Sequence, residues 1–152
     1  MHLQITKHFS YREMTRSATG QRLGLKNDPP PELMPNILKV CERLEKVREH
    51  FGKPVTVLSC YRAPAVNAAV GGSKTSAHRF GLAADFEVEG VANIDVARWC
   101  AEHINDFDQI IYEFGPSGWV HMGFTDTKEP RKQLLSAVKD GGKTVYKPGL
   151  VE

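Results

Sequence analysis

A single long amphipathic stripe constrains this chain more than any other feature. Leu33, Ile37, Val40, Cys41, Leu44, Val47 and Phe51 recur at helical spacing after the run Asp28-Pro29-Pro30-Pro31, and Gly52 follows the last of them. Proline is favoured at a helix start and glycine just past its end, so the spacing predicts one helix from about Leu33 to Phe51. The interleaved Glu42, Arg43, Glu45, Lys46, Arg48 and Glu49 read as its solvated face. A helix with one apolar face needs a layer to pack against, and the rest of the chain offers mainly short β-type runs.

Those runs are Val55–Leu58, Ala83–Val88, Phe107–Phe114 and Trp119–Phe124. Gly115-Pro116-Ser117-Gly118 lies between the last two and predicts a hairpin. Ser10 with Glu13 three residues on, flanked by Phe9 and Met14, reads as a capping box with a hydrophobic staple, and so as a short helix start. A polar loop from Ser59 to Ser76 is expected to hold a helical turn over Pro64–Val70. Asn93 is expected to cap a helix running to about His103, with Ile94, Ala97, Cys100, Ala101 and Ile104 inside. One more helix is expected around Lys132–Val138, with Gly141-Gly142 and Pro148-Gly149 irregular. The expected fold is α+β, with a small, largely antiparallel sheet and helices on one face. A single domain is expected over residues 1–152, of which 125–152 form a C-terminal extension.

Composition narrows the function classes. The net charge is +2 and no dense block of Lys and Arg occurs, so nucleic acid is not an expected partner. No apolar run approaches the ~18 residues that span a bilayer, so no stable membrane insertion is expected. Three widely spaced cysteines, Cys41, Cys60 and Cys100, form no CxxC pair and read as free thiols made in a reducing compartment. The opening residues lack the apolar core of a signal peptide, so synthesis in a cytoplasm without an export signal is expected.

Three polar groups stand where apolar residues belong. Asp85 interrupts Leu82-Ala83-Ala84-Asp85-Phe86, with His78 and Gly81 just before it; His121 sits in Trp119-Val120-His121-Met122; Glu113 closes Ile110-Ile111-Tyr112. A carboxylate buried there would cost several kcal/mol unless paired or bound to metal. Each has an ordinary reading as well. His121 suits a hydrogen-bonded core histidine, and Asp85 a strand-end residue or a partner for Arg79. Together, two imidazoles and a carboxylate also make a first shell for catalytic zinc, with a nearby carboxylate to take a proton from water. Residue types and spacing leave both readings open. A four-residue turn would pair Tyr112 with His121 and put Glu113 on the opposite face, so a shared site requires a bulge or an odd-numbered connection.

The combined pattern resembles a known family. Ser76-x-His78-x-x-Gly81-x-Ala83-x-Asp85, then Glu113 and Trp119-x-His121, is similar to the signature of the zinc D-Ala-D-Ala carboxypeptidase-like peptidases, which include single-domain phage endolysins. His8-Phe9-Ser10-x-x-Glu13-Met14, Ser59-Cys60-Tyr61-Arg62 and Asp108-Gln109-Ile110-Ile111-Tyr112-Glu113 also fit, so the resemblance runs over about 8–124. It implies Zn2+ held by His78, Asp85 and His121, with Glu113 as catalytic base. It further implies Arg62 as a catalytic cation at the oxyanion and substrate, and Ser76 and Trp119 as substrate contacts. The implied reaction is hydrolysis of a peptidoglycan peptide by a monomer, either a lysis enzyme of phage or prophage or a D-Ala-D-Ala carboxypeptidase. Such an enzyme would reach the wall after membrane breach or as part of a virion. The same ligands would also suit a non-catalytic zinc-stabilised binding domain, although a structural site needs neither Glu113 nor Arg62.

Overall fold

The long stripe forms the helix its spacing predicts. The computed structural model describes residues 3–151. In chain order its elements are α1 (Tyr11–Thr15), α2 (Ala18–Leu23), α3 (Met34–Phe51), β1 (Val55–Ser59), α4 (Pro64–Ala69), β2 (Ala83–Val88), α5 (Asn93–His103), β3 (Gln109–Glu113), β4 (Trp119–Gly123), β5 (Gln133–Asp140) and β6 (Lys143–Pro148). The capping box at α1 is closed from both sides, Ser10 accepting from Glu13 N–H and Glu13 accepting from Ser10 N–H. Gly52 ends α3 in the left-handed conformation (φ 63°). Ile37, Val40, Cys41, Leu44 and Val47 of α3 are buried, and full burial of such side chains contributes roughly 1.5–3 kcal/mol each.

The strands form one sheet in the order β1-β2-β4-β3-β5-β6, antiparallel throughout except for the parallel pair β3–β5. Alternation gives the sheet two unlike faces. Phe86, Val88, Ile110, Val120 and Met122 point into the core, which α3 and α5 cover. Asp85, Glu113 and His121 take the alternate positions on the other face. The expected α+β architecture is therefore what the chain adopts. Among the described residues, no helix is long and apolar enough to cross a membrane.

Three local expectations are corrected. Residues 132–138 are not a helix: 133–140 form β5, bonded in parallel to β3 from Gln109↔Gln133 to Glu113↔Ala137. The run Leu134-Leu135-Ser136-Ala137-Val138 satisfies either periodicity, and pairing with an open strand edge outweighs its weak helical preference. Gly141-Gly142 is a two-residue hairpin turn, since Asp140 pairs with Lys143 and both glycines have positive φ (59° and 82°). The cap of α5 is Ala92, with no side-chain bond. Asn93 is the first helical residue, and its side-chain amide donates to Gly118 O (2.9 Å) and Pro116 O (3.4 Å). It thereby ties the helix to the β3–β4 connection.

That connection settles which way Glu113 faces. Glu113 pairs with Trp119 and Ile111 with His121, so five residues separate the strands and all four side chains share one face. Phe114 opens the connection in the left-handed conformation (φ 62°), and a short 3-10 turn over Gly115–Ser117 follows. A Cβ at Gly118 would overlap the Glu113 carbonyl, so only glycine fits where the chain returns.

Candidate metal centre and active site

The site is assembled from four segments, each with its own anchor. A bulge in β1 supplies the first: Val57 pairs with Phe86 but Ser59 pairs with Asp85, leaving Leu58 as the extra residue. Ser59 thus leaves the core parity of Val55 and Val57 and joins Asp85 on the cleft face. Arg62 follows, its backbone N–H bonded to His78 O at 3.0 Å. Its guanidinium donates to Ser59 Oγ (3.2 Å) and Asn67 Oδ1 (3.4 Å) and stands 3.6 Å from Asp85 Oδ2. Asn27 clamps this stretch by donating to Thr15 O and Tyr61 O and accepting from Ala63 N–H.

His78 sits on a short 3-10 turn, Ala77–Phe80, that Ser76 caps through its hydroxyl. Gly81 ends the turn at φ 70°, where a Cβ would also run into Ile37. His78 Nδ1 lies 2.7 Å from Cys60 O. A carbonyl only accepts, so Nδ1 carries the proton and Nε2 presents a lone pair. Nε2 is buried and makes no properly aligned hydrogen bond, although Asp85 Oδ1 is only 3.2 Å away. On the other side of Asp85, His121 Nδ1 lies 2.9 Å from the same Oδ1 and 3.9 Å from Glu113 Oε1. Asp85 and His121 are direct cross-strand partners, which accounts for their proximity.

These contacts shift the ionisation of the groups involved. Burial holds His78 below its ordinary pKa despite the Asp85 charge. Burial also acts against ionised Asp85, yet His78 and His121 outweigh it and hold the carboxyl well below the usual range. Burial opposes protonation of His121, but its bond to Asp85 and the charges of Asp85 and Glu113 raise its pKa. Burial, reinforced by the Asp85 charge, pushes Glu113 from 4.5 up to about 7, against the pull of His121 and Arg62. A carboxyl tuned that close to neutrality suits proton transfer.

The donor set fits a metal ion. His78, Asp85 and His121 each offer a ligand atom, and all three atoms lie within 4.8 Å of one another. Ligands of a tetrahedral zinc stand about 3.4 Å apart, close to the spacings found around Asp85 Oδ1. The unsatisfied Nε2 of His78 is the orphan atom such an ion would satisfy. The group opens onto a cleft of about 880 Å³, which Arg62, Ser76, Glu113 and Trp119 also line.

All seven residues singled out from the sequence therefore meet at one cleft. Asp85 is paired with Arg62 and not with Arg79, whose guanidinium donates to Lys74 O instead. Ser76 is engaged in capping the His78 turn, and Trp119 packs edge-on against Phe114 at 5.4 Å with a buried, unbonded Nε1. Sequence reasoning missed the supports Asn27, Ser59, Asn67 and the Cys60 carbonyl. A backbone carbonyl leaves no residue-type signal at all, and the polar trio looks like ordinary loop chemistry. The cysteines are buried thiols, with Cys41 and Cys100 pushed up to about 12 by burial, which suits packing and not nucleophilic attack.

Comparison with curated proteins returns no match to this chain. Residues 7–123 match the family described as Peptidase M15, a span that carries every one of these site residues. The chain belongs to that family of zinc-dependent peptidases acting on peptidoglycan.

Proposed function

We propose that His78, Asp85 and His121 hold zinc, and that the chain uses it to hydrolyse a peptide bond of bacterial peptidoglycan, as a lysis enzyme of phage or prophage or as a D-Ala-D-Ala carboxypeptidase. The observation that carries this reading is the buried, unsatisfied Nε2 of His78, set beside Asp85 and His121 with Glu113 next to them. Bound at those three residues, the metal supplies a Lewis acid that makes water a nucleophile near neutral pH and polarises a carbonyl.

The protein's own groups do the rest. Glu113 accepts the proton of the attacking water and passes it to the departing amine, a double role that needs a pKa near the working pH. Arg62, held by Ser59 and Asn67, offers a fixed cation to the carbonyl oxygen as negative charge develops there. Ser76 and Trp119 border the substrate. A structural metal site would need neither a tuned carboxyl nor a held guanidinium, so catalysis is favoured over simple wall binding. We place its action at the wall, reached after membrane breach or from a virion, with the chain working as a monomer.

Digestion of purified peptidoglycan by wild type and Glu113→Ala, with metal content measured on both, tests the proposal. Wild type should cleave, and the variant should hold zinc without cleaving. Product masses then separate loss of a terminal D-alanine from a cut inside the stem or cross-bridge. Two proteins that both hold zinc and cleave nothing would overturn the catalytic reading; the absence of zinc from both would overturn the metal assignment.

A further inference from the structure

The cleft has a wall beyond the residues 7–123 that match the family, made by the β5–β6 hairpin. Register places Trp119, Glu113, Ala137 and Tyr146 in one row across β4, β3, β5 and β6, on the face that carries His121. Neighbouring strands are about 4.8 Å apart, so the Tyr146 backbone stands roughly 10 Å from that of Glu113. Only the methyl group of Ala137, fully buried, lies between them in that row. A larger residue there would fill the space between the carboxyl and the phenol.

Tyr146 lines the same cleft as His78, Asp85, Glu113 and His121, and it remains 54% exposed. Partial burial and the charges of Glu113 and Asp85 raise its pKa, so its hydroxyl stays protonated and able to donate. Among the described residues its hydroxyl has no hydrogen-bond partner. On the same face Thr144 accepts from Lys139 Nζ (3.0 Å), and that ammonium also stands 5.2 Å from the centre of the Phe114 ring. Lys139 therefore braces the hairpin against the loop that orients Glu113.

An aromatic on an edge strand is common for its β-propensity alone. Such a residue needs no particular side of the sheet. Tyr146 is on the side of the reacting groups, with a free donor and an exposed ring. A peptide lying across the strands from the metal ligands past Glu113 would present backbone carbonyls to that donor. We infer that Tyr146 is a substrate-contact residue, its hydroxyl donating to a backbone carbonyl of the bound peptide and its ring packing against the chain.

This inference rests on the peptidase reading, so its test must tell the two apart. The zinc-loaded full chain is assayed on solubilised peptidoglycan and on an acylated L-Lys-D-Ala-D-Ala tripeptide, with Tyr146→Phe and Tyr146→Ala beside wild type. One neutral hydrogen bond predicts about a 3–10-fold rise in KM for Tyr146→Phe on the substrate that is cleaved, with the smaller part of the loss in kcat. Tyr146→Ala should lose more through the missing ring. The melting temperature of Tyr146→Phe should match wild type, because the hydroxyl has no internal partner to lose. Unchanged KM in both variants of a cleaving enzyme would overturn the contact and leave the peptidase standing; so would a fall in kcat that tracks a fall in melting temperature. Should wild type cleave neither substrate, the peptidase reading fails and calorimetric binding of the same tripeptide decides. Weaker binding by Tyr146→Phe would then retain the contact, and equal or absent binding would overturn it.

Discussion

A carboxyl buried in a cleft beside another carboxylate weakens the fold that holds it, and Glu113→Gln measures by how much. Glu113 is 16% exposed, and burial followed by the Asp85 charge pushes its pKa from 4.5 to about 7. An acid whose pKa is higher folded than unfolded binds its proton more tightly in the native state. The resulting penalty is absent below the unfolded value, grows as pH rises through the interval up to about 7, and is constant above it. At 1.36 kcal/mol per pH unit, that interval corresponds to roughly 3 kcal/mol. For a chain of this size each kcal/mol moves the melting temperature by about 2–4 °C. The assay is thermal unfolding of chelated wild type and Glu113→Gln at pH 4.5 and pH 8, because a bound cation would itself pull the carboxyl back down. The two should melt within a degree or two of each other at pH 4.5, and the variant about 6–12 °C higher at pH 8. Zinc-loaded, the same variant should lose about 10²–10⁴ in turnover. A gap that is the same at both pH values, or none at pH 8, would refute the claim that burial of an ionised carboxyl strains this site.

Gly118→Ala should cost about 1–3 kcal/mol, because its methyl overlaps the Glu113 carbonyl, which is backbone and has no rotamer to escape into; turnover should fall with it, and a melting temperature equal to wild type would sink the argument. Asp108 accepts from Arg131 Nε (3.1 Å), Nη2 (2.8 Å) and backbone N–H (3.0 Å), bonds that hold its carboxyl below the usual range. A depressed carboxyl stabilises above its unfolded pKa and loses that effect as pH falls through the folded value. With Arg131 half exposed, Asp108→Asn should cost only about 1 kcal/mol at pH 7 and almost nothing near pH 2, read from urea midpoints. Metal uptake below pH 6.5 should release protons and weaken as pH falls, because there His121, its pKa raised against burial by the bond to Asp85 and the charges of Asp85 and Glu113, is an imidazolium that must give up a proton before it can ligate. Calorimetry in buffers of different ionisation enthalpy counts those protons, and a count of zero would refute the ligand assignment.

Much of the site was legible because its residues contradict their surroundings. Asp85 and His121 are polar groups in apolar strands, and the structure gives each a reason to be there. The orientation of Glu113 was not legible. It depends on a five-residue connection entered through a left-handed Phe114, and nothing about phenylalanine announces that conformation. The bulge that turns Ser59 toward Asp85 is similarly silent, since Val55-Thr56-Val57-Leu58-Ser59 reads as plain alternation. Asn93 looked like a cap but serves Gly118 and Pro116 instead, a partnership visible only once the hairpin is in place. The segment 132–138 misled for a related reason. Its periodicity was ambiguous, and the deciding partner, β3, lies more than twenty residues earlier in the chain.

The parallel pairing of β5 with β3 gives the last strands a bearing on how this protein can be trimmed. Phe114 N–H donates to Ala137 O at 2.8 Å, so β5 fastens the very residue whose backbone turns Glu113 toward Asp85 and His121. A fragment ending at residue 123 would contain every proposed ligand and the base, yet β3 would be left as a bare edge with its ladder groups open to water or to another chain. The boundary suggested by family likeness and the boundary of a usable catalyst therefore do not coincide. Anyone excising this enzyme for fusion to a wall-binding module should carry the final hairpin along with it.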